Sequence, residues 1–266
     1  MSIVHVTVSA ELDLPAAATI RTQFIPCDYE NQRVVSRSTQ APSAVGTRDL
    51  EGPDGTRVSY LELPAGRSRI DSAASVRLTK PAYASRRIPT LTWDQGAALI
   101  RAIRSTGRTG DGTPVSAEEA LYIATTSVPS TLVRIDDDAR DLAFSTLSPG
   151  QPLILGIAEV AARVARLGLS AVDATHTMIG AMRAVGLAAS YLVGVVPDRG
   201  IHTWAAVCIP GFSWFPIDPQ TARPPDEGAV VLARGRDAAD APLVRCPDGG
   251  DGGASVTATV LSRPES

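Results

Sequence analysis

Residues 169–220 read LSAVDATHTMIGAMRAVGLAASYLVGVVPDRGIHTWAAVCIPGFSWFPIDPQ. Met178, Met182 and Val185 recur at core spacing, so Ala174 to Val185 reads as a helix, and Gly186 closes it. Tyr191 to Val196 is an apolar run short enough for a buried strand. Pro197 to Gly200 turns it back into Ile201 to Ile209, which carries His202, Trp204, Ala206 and Cys208 on one face. Pro210-Gly211 is a hairpin turn, and Ser213 to Asp218 is the return strand. His202 and Asp218 therefore fall near strand ends, where side chains of paired strands meet. A histidine and an aspartate so placed are the base and the orienter of a nucleophilic triad. Spacing alone favours a structural histidine and a turn aspartate before Pro219.

Around this stretch, 266 residues suffice for one large domain or two ordinary ones. A formal net charge of -3 removes the electrostatic case for nucleic acid. Lys is nearly absent, and Arg carries almost all the positive charge. Cys27, Cys208 and Cys246 lie far apart without CxxC spacing, which argues against a zinc site or a disulfide framework. The first residues, MSIVHVTVSAELDLP, alternate and lack the basic and apolar regions of a signal peptide. No apolar run is long enough to span a bilayer. A reducing, cytoplasmic setting without membrane partners is the expectation.

The N-terminal part reads as β structure. Val4, Val6 and Val8 alternate with Ile3, His5 and Thr7, and Ala18 to Ile25 repeats the pattern. Thr56 to Leu63 and Ile70 to Leu78 give two more strands around turns at residues 51–55 and at Pro64-Ala65-Gly66. A polar loop is expected between Asn31 and Thr47. Pro81 to Thr92 reads as a linker. Helix starts follow at Thr92-Trp93-Asp94-Gln95, at Ser116-Ala117-Glu118-Glu119 and at Asp136, with Asp136 to Phe144 as a helix. The acidic run 136–138 is a solvated helix N-terminus rather than a metal site. Leu153 to Leu167 is a strong helix closed by Gly168. A tail from Asp248 leads to a last strand at Ser255 to Leu261.

Taken together, these pieces resemble the bacterial transglutaminase-like cysteine enzymes. Their pattern is Gly-Val-Cys-x-Asp-x-Ala-His opening a helix, then a histidine strand, Gly-x-Trp, Asp-Pro-Thr and Gly-Arg-Asp-Ala-Ala-Asp. Asp173 and His176 match the helix opening, and Arg183, Ala184 and Gly186 match its end. His202 and Trp204 match the histidine strand, Trp214, Asp218 and Pro219 the aspartate strand, and Gly235 to Asp240 the last motif. The resemblance spans about Pro129 to Val244. It implies an α+β fold in which a papain-like domain, a helix packed on an antiparallel sheet, follows an N-terminal antiparallel β-domain. The expected division is 1–80 for the β-domain, 81–128 for a linker and helical segment, and 129–266 for the transglutaminase-like domain.

The resemblance also implies a cysteine at the helix N-terminus, where dipole and histidine generate a thiolate. Ala171 stands there. Cys208 shares a face with His202 but lies about 20 Å along the strand. Ser170 borders the vacant position. Two further departures are a shortened segment before Ala171 and Ala188-Ala189-Ser190 in place of Pro-Ala-Arg.

Three readings follow. A natural cysteine-less protein uses His202 and Asp218 for general acid/base chemistry (cyclisation, isomerisation or elimination) on a small or carrier-linked substrate. A pseudoenzyme binds a peptide or acyl-amide ligand without turnover. Or Ala171 was introduced in place of the cysteine of an acyltransferase or amidohydrolase. Asp173, His176, Trp204 and Ser170 are the candidate substrate contacts. No metal or organic cofactor is implied, and the sequence leaves the oligomeric state open.

Overall fold

The computed structural model describes residues 2–52, 56–246 and 255–263. The expected turn at 51–55 and the tail from Asp248 fall partly outside them. Among the described residues the chain forms three four-stranded antiparallel sheets and six helices.

The N-terminal strands are β1 (Ser2–Leu14), β2 (Ala18–Thr22), β3 (Gln32–Gln40), β4 (Gly46–Glu51), β5 (Arg57–Leu63) and β6 (Gly66–Leu78). They divide between two sheets. Alternation drives their packing, because Val4, Val6, Val8, Ala10, Leu12 and Leu14 of β1 all point into one core with Ile70, Val76 and Leu78 of β6. Two strands occupy most of 31–47, where a polar loop was expected. β3 runs beside β6 with only its first residue buried, and no residue of β4 is buried. Both are held by ladder hydrogen bonds, so their hydropathy shows no period of two for a sequence reading to find.

The helices are α1 (Ala82–Ser85), α2 (Trp93–Thr106), α3 (Ala117–Thr125), α4 (Asp137–Phe144), α5 (Leu153–Ala165) and α6 (Ala171–Ala184). Their starts follow local chemistry. Thr92 and Gln95 form a reciprocal capping box, and Ser116 and Asp136 accept from the amides of Glu119 and Ala139. α6 begins three residues before its apolar spacing does, because Ser170 caps it by accepting from the Asp173 amide. Met178, Ile179 and Met182 of α6 are fully buried in the core they share with Ile157 and Val160 of α5.

The central sheet has the order β10-β7-β8-β9, with β7 (Ala189–Val196), β8 (Gly200–Ile209), β9 (Ser213–Ile217) and β10 (Val230–Gly235). β10 lies where the sequence suggested only a motif. It pairs with β7 through an irregularity between Val231 and Ala233. α6 packs on one face, against Ala205 and Val207, while Leu192, Trp204 and Trp214 enter a separate core with Ile100 and Ile123. The last strands, β11 (Val244–Arg245) and β12 (Ser255–Arg263), pair with β2 and β1 respectively. β11 and β12 thus lie in the N-terminal sheets.

Gly194, opposite His202 on β7, holds this arrangement together. A Cβ there would lie 2.1 Å from the Val230 carbonyl oxygen and 2.6 Å from the Trp204 ring. Backbone cannot retreat cheaply, so Gly194→Ala is expected to destabilise the protein by at least about 2 kcal/mol. Thermal denaturation checks this, and an unchanged midpoint would contradict the packing described.

Candidate functional site

Two strand ends bring the site together. β7 and β8 are joined by the turn 197–200, in which Asp198 and Gly200 adopt left-handed backbone at φ 60° and 72°. This tight reversal sets Arg199 three residues before His202. β9 ends at Ile217, so Asp218 is the first residue beyond the strand. It starts a turn closed by the Thr221 and Ala222 amides donating to its carbonyl.

The side chains converge on the Asp218 carboxylate. His202 Nε2 lies 3.0 Å from Oδ2, and Arg199 Nη1 donates to the same oxygen at 2.9 Å. The Gln220 amide donates to Oδ1 at 2.9 Å. Asp218 is 1% exposed and His202 6% exposed. Burial alone would raise the Asp218 pKa. The hydrogen bonds from His202, Arg199 and the Gln220 backbone outweigh it and hold the carboxyl down to about 2. With Nε2 donating to a carboxylate, the lone pair of neutral His202 is on Nδ1. Arg199 Nη2 lies 3.4 Å from that nitrogen. No hydroxyl or thiol is hydrogen-bonded to either ring nitrogen among the described residues.

The start of α6 lies at the same end of the sheet. Gln220 Nε2 donates to the Leu169 carbonyl at 2.9 Å, and Arg199 Nη2 reaches Gln220 Oε1 at 3.4 Å. Thr203, next to His202, meets Thr175 of α6 with the hydroxyl oxygens 3.2 Å apart. Ala171, the first residue of α6, offers only a methyl group. The Ser170 hydroxyl is already engaged: it accepts from the Asp173 amide and donates to Asp173 Oδ2 at 2.7 Å. Asp173 is thereby a capping partner on an exposed turn.

The other candidates lie elsewhere. His176 Nε2 accepts from the Ala238 amide at 3.1 Å, and its ring lies against Tyr191. Burial lowers its pKa, partly offset by the Asp237 and Asp173 charges. It lines a groove of about 1060 Å³ formed with α4 and α5, which includes neither His202 nor Asp218. Trp204 is 2% exposed and belongs to the core. Cys208 is buried, and desolvation pushes its thiol pKa up, away from thiolate chemistry. Among the described residues no group of three or more His, Cys, Asp or Glu could hold a metal ion, and no helix is long and apolar enough to cross a membrane.

Arg199 is the residue the sequence reading missed. Its signal was present: a cation in a two-strand turn, three residues before a histidine on the return strand.

Residues 145–219 match the transglutaminase-like superfamily model. The match covers α5, α6 and β7 to β9, and it ends one residue beyond Asp218. Uncharacterized proteins of Mycobacterium tuberculosis and Mycobacterium bovis are 30% identical over 149 residues, covering 42% of this chain. The chain spans about half (47%) of the length of these relatives. A crystal structure from Cytophaga hutchinsonii, described provisionally as a cysteine protease, has a TM-score of 0.71 and 16% identity. It covers 100% of this chain and 92% of its own, so the likeness includes the N-terminal sheets and establishes the fold. The architecture is thus α+β, with antiparallel sheets and a transglutaminase-like domain.

The depressed Asp218 pKa makes the site pH-dependent in a defined direction. A carboxylate whose folded pKa lies below its unfolded value stabilises above the unfolded value, near 4. That stability is lost as pH falls through the folded pKa, near 2. The fall from 3.8 to about 2 corresponds to about 2.5 kcal/mol. Asp218→Asn is expected to lower unfolding free energy by about that amount at pH 7. It should also flatten the pH dependence between 4 and 2, as measured by urea denaturation across that range.

Proposed function

We propose that this chain is a transglutaminase-like protein without a cysteine nucleophile, and that His202 and Asp218 act as a general acid/base pair. The supporting observation is the buried 3.0 Å pair whose histidine presents Nδ1 away from the carboxylate. Asp218 holds the imidazole in one tautomer and stabilises the imidazolium that forms when Nδ1 takes a proton. The step is then proton transfer to and from a bound small or carrier-linked substrate: cyclisation, isomerisation or elimination. Covalent catalysis has no support, because Ala171 lacks a nucleophilic atom and the Ser170 hydroxyl is committed to capping α6.

Arg199 has a defined part in this reading. Its guanidinium faces the Nδ1 lone pair and neutralises Asp218, so it must swing off the ring before the base can work. Its side chain is 38% exposed, which leaves room for that movement. The same contact favours a second reading: a binding protein whose histidine is capped and whose exposed arginine holds a peptide or acyl-amide ligand.

Two experiments bear on these readings. Incubation with a panel of small and carrier-linked acyl compounds is expected to give turnover with no covalent adduct by intact-mass measurement. His202→Ala should abolish that turnover, while Ser170→Ala should retain most of it. An adduct on Ser170, or turnover that survives His202→Ala, would sink the acid/base reading. Saturable binding without product decides for the second.

The second experiment installs the thiol. Ala171→Cys places sulfur at the first residue of a 14-residue helix, where the helix dipole lowers thiol pKa. Its alkylation by iodoacetamide at pH 7 is expected to be at least about tenfold faster than that of the parent, whose three cysteines are all buried. Adding His202→Ala should slow it. Equal rates with and without His202 would mean that the helix start and the histidine do not form one site.

A further inference from the structure

α4, α5 and α6 enclose the groove of about 1060 Å³ that contains neither His202 nor Asp218. Three large apolar side chains stand unburied along it: Leu132, Phe144 and Leu167 are 50%, 57% and 55% exposed. Apolar surface gathered around one concavity marks a place where something docks. The groove is also charged. Asp138 and Asp141, one turn apart, lie on the same face of α4. Arg163, in the last turn of α5, and Arg134, ahead of α4, add two guanidinium groups. The remaining charge in the lining, Asp136, caps α4 by accepting from the Ala139 amide at 3.1 Å.

These opposite charges do not satisfy one another. Among the described residues no ion pair or side-chain hydrogen bond engages Asp138, Asp141, Arg134 or Arg163, while the neighbouring Arg140 pairs with Asp137. The two signs are thus held apart around one groove. His176 adds a neutral donor. Its Nε2 accepts from the Ala238 amide at 3.1 Å, which puts the proton of the neutral ring on Nδ1. Burial lowers its pKa, so the ring stays neutral at pH 7. Among the described residues Nδ1–H meets no acceptor, although the ring is half-buried. The groove therefore offers free carboxylates, free guanidinium groups and an unanswered N–H beside an apolar surface.

We propose that this groove binds a short apolar peptide through its free ends. Such a peptide carries an ammonium group, a carboxylate and an amide carbonyl between them, with apolar side chains alongside. Asp138 and Asp141 take the ammonium, Arg163 takes the carboxylate through its fork, and His176 Nδ1–H donates to the carbonyl. The apolar side chains cover Leu132, Phe144 and Leu167. A fatty acid or a phosphate would leave the carboxylates of α4 unanswered, and a free amino acid has no amide carbonyl for His176. The volume lies at the upper end of small-molecule sites, which suits a peptide better than a single residue. The proposal is independent of the chemistry at His202.

Calorimetric titration of the full chain with the tripeptide leucyl-alanyl-phenylalanine tests it, with the N-acetyl and C-amide forms of the same peptide and free leucine as comparisons. Saturable binding of the free peptide is expected, with each blocked form and leucine at least tenfold weaker. Arg163→Gln should weaken the free peptide at least fivefold and leave the C-amide form unchanged. Asp141→Asn should weaken the free peptide and leave the N-acetyl form unchanged. Both positions are exposed, so these variants keep the fold. Arg199→Gln should leave peptide binding unchanged, which separates this groove from the His202 site. Absence of saturable binding of the free peptide would overturn the proposal. So would blocked peptides or leucine that bind as tightly as the free peptide, or a loss seen in Arg199→Gln but not in Arg163→Gln.

Discussion

A buried guanidinium at the end of α6 organises the transglutaminase-like part. Arg183 is 2% exposed, and burial lowers its pKa to about 10. An unpaired charge in that position would cost several kcal/mol, so its donors must all find acceptors. Arg183 meets four acceptor groups on three segments. Nε and Nη2 donate to the Thr126 and Ala189 carbonyls, Nη1 to the Ser130 hydroxyl, and Nη2 to the Arg236 carbonyl. One side chain thereby ties α6 to the end of α3, the start of β7 and the segment after β10. Asp237 sits beside it. Burial would raise the Asp237 pKa, but the bonds from the Leu132 amide, Ser130 and the Ala239 amide outweigh that and keep it ionised. Arg236 pairs with Asp240 in the same motif.

The same logic of a buried charge governs the other end of the sheet. Asp218 is almost inaccessible and accepts from a ring, a guanidinium and a backbone amide. Arg183 fixes where α6 ends, while Ser170 and the Gln220–Leu169 bond fix where it begins. The helix start and the His202–Asp218 pair are therefore held at one end of the sheet by groups on both sides of the gap. Ala171, the first residue of α6, carries only a methyl group, and Arg199 Nη2 faces His202 Nδ1 at 3.4 Å.

The N-terminal sheets are not a detachable appendage. β11 and β12 return to them after the central sheet is complete, and β12 pairs with nine residues of β1. Gln32 reaches across to β10, donating to the Val231 carbonyl and accepting from the Val231 amide. Such contacts couple the stability of the two parts, which are joined through the chain's first and last strands.

Sequence by itself determined the pieces whose signal is local. The hydropathy of β1, the capping residues Thr92, Ser116 and Asp136, the Met stripe of α6 and the hairpins around His202 depend on neighbours within a few positions. So does the order helix, strand, His202, strand, Asp218, which is why the resemblance was legible. Tertiary structure alone decided the rest. β3 and β4 are polar strands whose stability comes from partners elsewhere in the chain, and β10 and β12 find theirs on distant segments. Arg199 acquires its meaning only when the turn at 197–200 brings it against His202 Nδ1 and the Asp218 carboxylate. The hydroxyl of Ser170 looks available in sequence and is consumed by a cap in three dimensions. In each case the deciding energy is a hydrogen bond between residues far apart in the chain or a burial that no window of sequence contains.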